Sequence, residues 1–405
     1  MKRRPGILAR SFCLGLFIPF CLAGGVGNSF GWGTNTAFAA SEQRLYQGQT
    51  IEAWQERIKS EPLPFLGTPE AVSGMLEIVE DPQADWMHRR QVALTLGRIG
   101  PAAKAAVPVL IRLLDAPEAD AASTRLWALR GLALFGPVAA EATPNVARIV
   151  ADTSLPFATR AAAVEALANV GQARPETLPA LMKLVNQTGE DSLRQIAVEG
   201  IALLKSHAAP AIPDLLRALQ TDSVLLQRAI AQTLGEMGAA GEVAVPGLND
   251  LIFSSEHGEV QEAAVDALAK MGPDGTKALL HLLDEEDSSF RELALRGIQS
   301  APVTSEIPTA LLNSLQDPEP RLRVAAAAIL LKQDQKEDEA IETAVSILSS
   351  DDRHARLAAY RLLSESLPSR EVARQKVRNL EADPTAPEQA RLSARKLLKQ
   401  IETGH

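Results

Sequence analysis

The sequence predicts an all-α protein, an α-solenoid of stacked antiparallel helix pairs, on three observations. A motif with an Arg or Gln at its head returns at near-constant intervals along most of the 405 residues. Each copy holds two amphipathic stretches with Gly and Pro set between them. Composition agrees, because apolar residues make up 46% while aromatics are only 4%, so Ala, Leu, Val and Ile must carry the burial in closely packed helices.

The first element is a leader. Lys2, Arg3, Arg4 and Arg10 stand ahead of an apolar run, and Ala37 and Ala39 in "NTAFAA" have the spacing of an export cleavage site. Residues 1–40 read as a secretory signal peptide, cut after Ala39 or Ala40. The run from Phe12 to Ala23 is shorter than the roughly 20 residues of a membrane-spanning helix and contains Pro19, so no stable membrane span is expected after cleavage. Both cysteines, Cys13 and Cys21, lie in the leader, which leaves the exported chain without a thiol. The pair Arg3 and Arg4 is followed by "PGIL", which points to general secretion rather than twin-arginine export.

Residues 41–67 read as an N-terminal capping segment. Thr50 suits an N-cap, although Ala53 stands where a capping box would place an acid. Leu45, Tyr46, Ile51, Trp54 and Ile58 supply apolar cover for the open end of the first repeat.

Residues 68–400 carry the repeat, and 401–405 form a short tail. The copies begin at Arg89, Arg125, Arg160, Arg194, Gln227, Gln261, Arg291, Arg323, Arg356 and Arg391, at intervals of 36, 35, 34, 33, 34, 30, 32, 33 and 35 residues. A period in this range marks a stacked helical array of about ten units. In the copy "RRQVALTLGRIGPAAKAAVPVLIRLLD", Val92, Leu96 and Ile99 line one helical face, and Val107, Leu110, Ile111 and Leu114 line another. Gly100 suits the left-handed residue that ends the first helix, and Pro101 discourages its continuation. Pro108, with Pro144, Pro179, Pro213, Pro246 and Pro308 at the corresponding places, falls in the first turn of the second helix, where no intrahelical N–H bond is lost.

These segments, "QRAIAQTLGEMGAAGEVAVPGLNDLI" among them, resemble HEAT-like repeats of the phycobilisome-lyase subtype, here in an exported bacterial form. The resemblance spans about residues 68 to 400 and fades after residue 272, where the Gly-Pro punctuation shortens. It implies a superhelix whose second helices line the concave side. It also implies a scaffold or adaptor that binds a protein or peptide there, with no catalysis of its own and no cofactor. The alternative it brings is a component of a bilin-lyase-like enzyme or another cofactor-attachment or assembly factor.

Acidic and basic residues recur at the head of each unit: Asp85 with Arg89, Asp120 with Arg125, Asp191 with Arg194 and Asp287 with Arg291. A charge pair in every unit is no single active site, and the resemblance implies a ladder that fixes one unit on the next. His88, His207, His257, His281, His354 and His405 are scattered without metal-ligand spacing, and the run Asp284 to Asp287 lacks the alternation of a calcium loop. No catalytic, cofactor-binding or metal residue is therefore expected. Trp86, Trp127, Met75 and Met87 read as core filling.

Charge narrows the partner. Loss of the leader moves the net charge from −9 to −13, divided into −16 over residues 41–350 and +3 over 351–405. An acidic body repels nucleic acid, so the partner is a protein or peptide, and a monomer is expected. In "SREVARQKVRNLEADP", Arg370, Arg374 and Arg378 follow at steps of four beside Ala373, Val377 and Leu380. That row is the candidate partner contact, for an acidic partner or for the chain's own acidic body.

Overall fold

A computed structural model describes residues 44–115, 121–187 and 189–403. The proposed leader with both cysteines, Asp120 and His405 lie outside them. The described residues form helices without a sheet, and one continuous apolar core runs from Tyr46 to Leu397. Among them no helix is long and apolar enough to cross a membrane.

The chain opens on helix Ile51–Ser60, capped as expected by the Thr50 hydroxyl, which accepts from the Ala53 N–H at 3.3 Å. Trp54 is fully buried, and its indole Nε1–H donates to the Tyr46 carbonyl at 2.9 Å. The Tyr46 hydroxyl in turn donates to Asp81 at 2.9 Å. Leu45 departs from expectation and stays exposed, since the Tyr46–Gln49 turn turns it away from the core that Tyr46 enters.

Helix Pro69–Glu80 then leads into nine helix pairs among the described residues, from Trp86–Ile99 with Ala106–Leu113 to Arg353–Ser366 with Glu371–Ala382. Helix Glu388–Thr403, which carries the tenth head residue Arg391, closes the stack without a second helix. First helices pack on first helices of the next unit, and second helices do likewise. Burial of one stripe per helix thus becomes a core only through the neighbour, as a repeat architecture requires.

The break inside the early units is a 3₁₀ turn, as in Gly100–Ala103 and Gly238–Ala244, rather than a bare corner. Gly100 has a positive φ of +69°, but its ψ of −128° corrects the left-handed conformation expected for it and places it in a region nearly reserved for glycine. Pro144, Pro213, Pro246 and Pro308 take the second position of their helices, and Pro108 and Pro179 the third. All sit among the four N–H groups that have no intrahelical partner.

First helices approach closely through small residues. A Cβ added to Gly97 would lie 2.6 Å from the Gly131 carbonyl oxygen on the next first helix. The Ala-rich composition follows from this spacing, because larger side chains would push the units apart.

Candidate protein-binding surface

Most of the residues that head a unit are spent on backbone carbonyls; among the described residues Arg160 and Arg391 are not. Arg89 Nε donates to the Val79 carbonyl at 3.0 Å, Arg125 Nε to Leu114 at 2.8 Å and Arg194 Nε to Val185 at 3.0 Å. Gln227 reaches Thr221 at 2.8 Å, Gln261 reaches Ile252 at 2.9 Å, and Arg356 reaches Ser350 at 2.6 Å. Each acceptor lies in the last turn of the preceding helix, as Val79, Val185 and Ile252 do, or in the few residues just after it, as Leu114, Thr221 and Ser350 do, where carbonyls lack helical partners. A charged or amide donor from the following unit satisfies them and fixes its position.

This corrects the ladder expected from Asp–Arg spacing. Of the three described pairs, only Asp191 and Arg194 form an ion pair, at 3.0 Å. Asp85 and Asp287 accept instead from the N–H groups of Met87 and Ser289, both at 2.8 Å, as N-caps. Two other head arginines take their carboxylate from the next unit: Arg160 from Glu190 at 2.6 Å, and Arg291 from Asp317 at 2.7 Å. Sequence distance concealed them, since 30 and 26 residues separate those partners.

The large side chains divide. Trp127 and Met75 are buried, and the Arg89 guanidinium lies 5.4 Å from the Trp127 ring centroid, so Arg89 joins two units. Trp86 and Met87, expected in the core, are exposed. They occupy the first two positions of helix Trp86–Ile99, ahead of the apolar stripe that begins to bury at Val92.

The basic row is not uniform. Arg370 is the residue before helix Glu371–Ala382, and its guanidinium meets Asp334 at 2.6 Å, Glu337 at 3.1 Å and the Leu331 carbonyl at 2.9 Å. Arg374 bonds Glu371 at 2.7 Å and the Leu367 carbonyl at 3.2 Å. Arg378 is left largely exposed, 3.6 Å from Glu371. Only Arg370 therefore serves the chain's own acidic body, while Arg374 is held within its own unit.

The extended surface not consumed in this way lies on the second helices. Four residues after the recurring proline stand Arg112, Arg148, Lys183, Arg217 and then Asp250, so the face changes sign along the stack. Arg112 pairs with Glu80 of the preceding helix, and Arg148 pairs with Asp115 at 2.5 Å. Beyond Arg217 the joints between second helices open into grooves of 460 to 520 Å³. No group of three or more metal-ligating side chains occurs among the described residues.

HEAT repeats are matched over residues 117–202 and 212–299. Comparison with curated proteins gives no match. Among solved structures, the karyopherin Kap121p bound to the extreme C-terminus of the protein phosphatase Cdc14p is 13% identical with a TM-score of 0.52, over 87% of this chain and 43% of that one. Importin beta is 12% identical with a TM-score of 0.47, over 87% and 55%. The CpcE–CpcF complex of phycocyanin lyase from Nostoc sp. PCC7120 is 21% identical with a TM-score of 0.34, over 58% and 91%. This chain thus spans less than half of the karyopherin, and the likeness to it is one of fold. Repeated helix pairs, their shared core and the matched segments together make this chain an α-solenoid of HEAT-like repeats.

Proposed function

We propose that this chain is an exported, non-catalytic scaffold or adaptor that holds a segment of another protein along its second helices. The observation that carries the reading is the division of its polar groups. Most of the residues that recur at the head of a unit are spent on backbone carbonyls, while exposed polar groups on the second helices line a run of grooves over the joints from Leu216 to Ser346. Such a face suits many small contacts with an extended partner rather than one reacting centre. The acidic body disfavours nucleic acid, and Arg378 adds an exposed cation at the far end.

The test is affinity capture from the envelope or secreted fraction, followed by hydrogen exchange on the reconstituted pair. Protection along the second helices is expected, with an exported N-terminus at Ala40 or Ser41. Protection confined to the first-helix face, or a purified chain carrying a tetrapyrrole, would overturn the reading.

A further inference from the structure

Resting on that reading, we infer that the second helices between residues 212 and 346 form a docking groove for an extended basic segment of another protein. That segment carries Lys or Arg at about every third residue around one apolar side chain. Four grooves lie between successive second helices: Ile212–Ala218, Val245–Ser254, Gly272–Leu282, Ile307–Ser314 and Glu337–Ile347. They form a continuous track. Helix Val245–Ser254 walls the first two, Lys277 and His281 line both the second and the third, and Gln316 lines both the third and the fourth.

Charge along this track is unbalanced in a particular way. Its cations are occupied: Lys277 lies 3.6 Å from Asp274, Arg291 holds Asp317 at 2.7 Å, and Arg323 donates to the Asp317 carbonyl at 2.7 Å. Its carboxylates are largely not. Asp222, Asp250, Asp284, Glu285, Glu306 and Glu339 line the grooves and make no ion pair or side-chain hydrogen bond among the described residues. A cationic side chain would gain these carboxylates without displacing an internal partner. Toward the N-terminus, up to Arg217 on the first wall, Arg112, Arg148 and Arg217 already hold the local carboxylates Glu80, Asp115 and Asp214, so a basic segment finds fewer free carboxylates there and its position is set.

The second groove supplies the apolar seat. Val243 is 74% exposed, and with Val245, Pro246 and Ala278 it lines a hollow of 520 Å³. Spacing fixes the periodicity of the partner. Packed helices lie about 8–10 Å apart and an extended chain rises about 3.3 Å per residue, so every third residue meets the next joint.

The probe is a labelled peptide of about 13 residues, enough to cross the track at that rise, with Lys at every third position except a central Leu. Its counterpart carries Glu for Lys. The full mature chain is expected to bind the Lys peptide, more weakly as salt rises, and not the Glu peptide. The variant Asp222→Asn, Asp250→Asn, Glu306→Gln, Glu339→Gln alters only exposed side chains and should keep its circular dichroism. It should weaken binding at least roughly tenfold, as loss of several charge pairs predicts. Val243→Ser should weaken it as well, whereas Lys183→Gln should not. Failure of the Lys peptide to bind, equal binding of the Glu peptide, or full binding by the amide variant would overturn the proposal. Hydrogen exchange separates this outcome from failure of the scaffold reading. A captured partner that protects second helices only within residues 106–217 leaves a scaffold without a basic segment, and one that protects no second helix removes both.

Discussion

Gly97 and Gly100 stand three residues apart and are required for different reasons. At Gly97 the obstacle is backbone: an added Cβ would meet the Gly131 carbonyl oxygen at 2.6 Å and Leu134 Cβ at 2.7 Å. At Gly100 no atom lies within 4 Å, and the cost is the backbone conformation alone. Gly97→Ala should therefore cost about 1–3 kcal/mol through overpacking, and Gly97→Val more. Gly100→Ala should cost about 1–3 kcal/mol through backbone conformation alone, and Gly100→Val more, because a β-branched residue resists positive φ. Thermal unfolding of the four variants checks this; a neutral Gly100→Ala or a neutral Gly97→Ala would contradict the geometry. The sequence motif "LGRIG" shows both glycines but not the division of labour, since the neighbour of Gly97 belongs to another unit.

Single helices show where sequence reading succeeds and where it stops. Caps and first-turn prolines depend on residues a few positions apart, so Thr50 and Pro108 were legible from the chain alone. Contacts across the period were not. Arg370, Arg374 and Arg378 look equivalent by spacing, yet Arg370 joins Leu331, Asp334 and Glu337 of an earlier unit while Arg378 remains exposed. Arg370→Gln should lower the denaturation midpoint by roughly 1–3 kcal/mol in stability, as loss of charge-assisted hydrogen bonds does, and Arg378→Gln should leave it unchanged. The N-terminal cap has its own signature in pH. Burial first, and then the hydrogen bond to Asp81, push the Tyr46 phenol up to about 12. The folded chain thus keeps that proton beyond the ordinary phenol range near 10. Its contribution is fully present below about pH 10 and is lost as pH rises through about 12. Tyrosinate absorbance should show a late phase near pH 12 that Tyr46→Phe removes; a late phase surviving that substitution would place the shift elsewhere.

At the scale of the whole molecule, the period and the Gly-Pro punctuation were enough for the architecture, because a unit that cannot bury its own stripes has to stack. The binding face was only partly legible. Its helices could be placed, but whether Asp250 or Glu306 was free depended on which cations the stack had already used. The same nearest-neighbour logic leads to a test of the architecture itself. Deleting residues 160–193 removes one period and brings Arg194 to the place of Arg160, with a head arginine again following helix Thr143–Ala151. Its Nε now bonds the Val185 carbonyl at the end of a second helix, and after deletion the equivalent carbonyls of Ile149 to Ala151 stand in that position. Arg160 and its partner Glu190 leave together, and Arg194 loses only Asp191, a half-exposed carboxylate. The shortened chain should stay folded, keep its helicity per residue in circular dichroism, and lose about 8–10 Å in maximum dimension by solution scattering. A compact domain with one shared core would not survive loss of a central segment. Global unfolding of this variant would mean that stability is not distributed unit by unit along the stack.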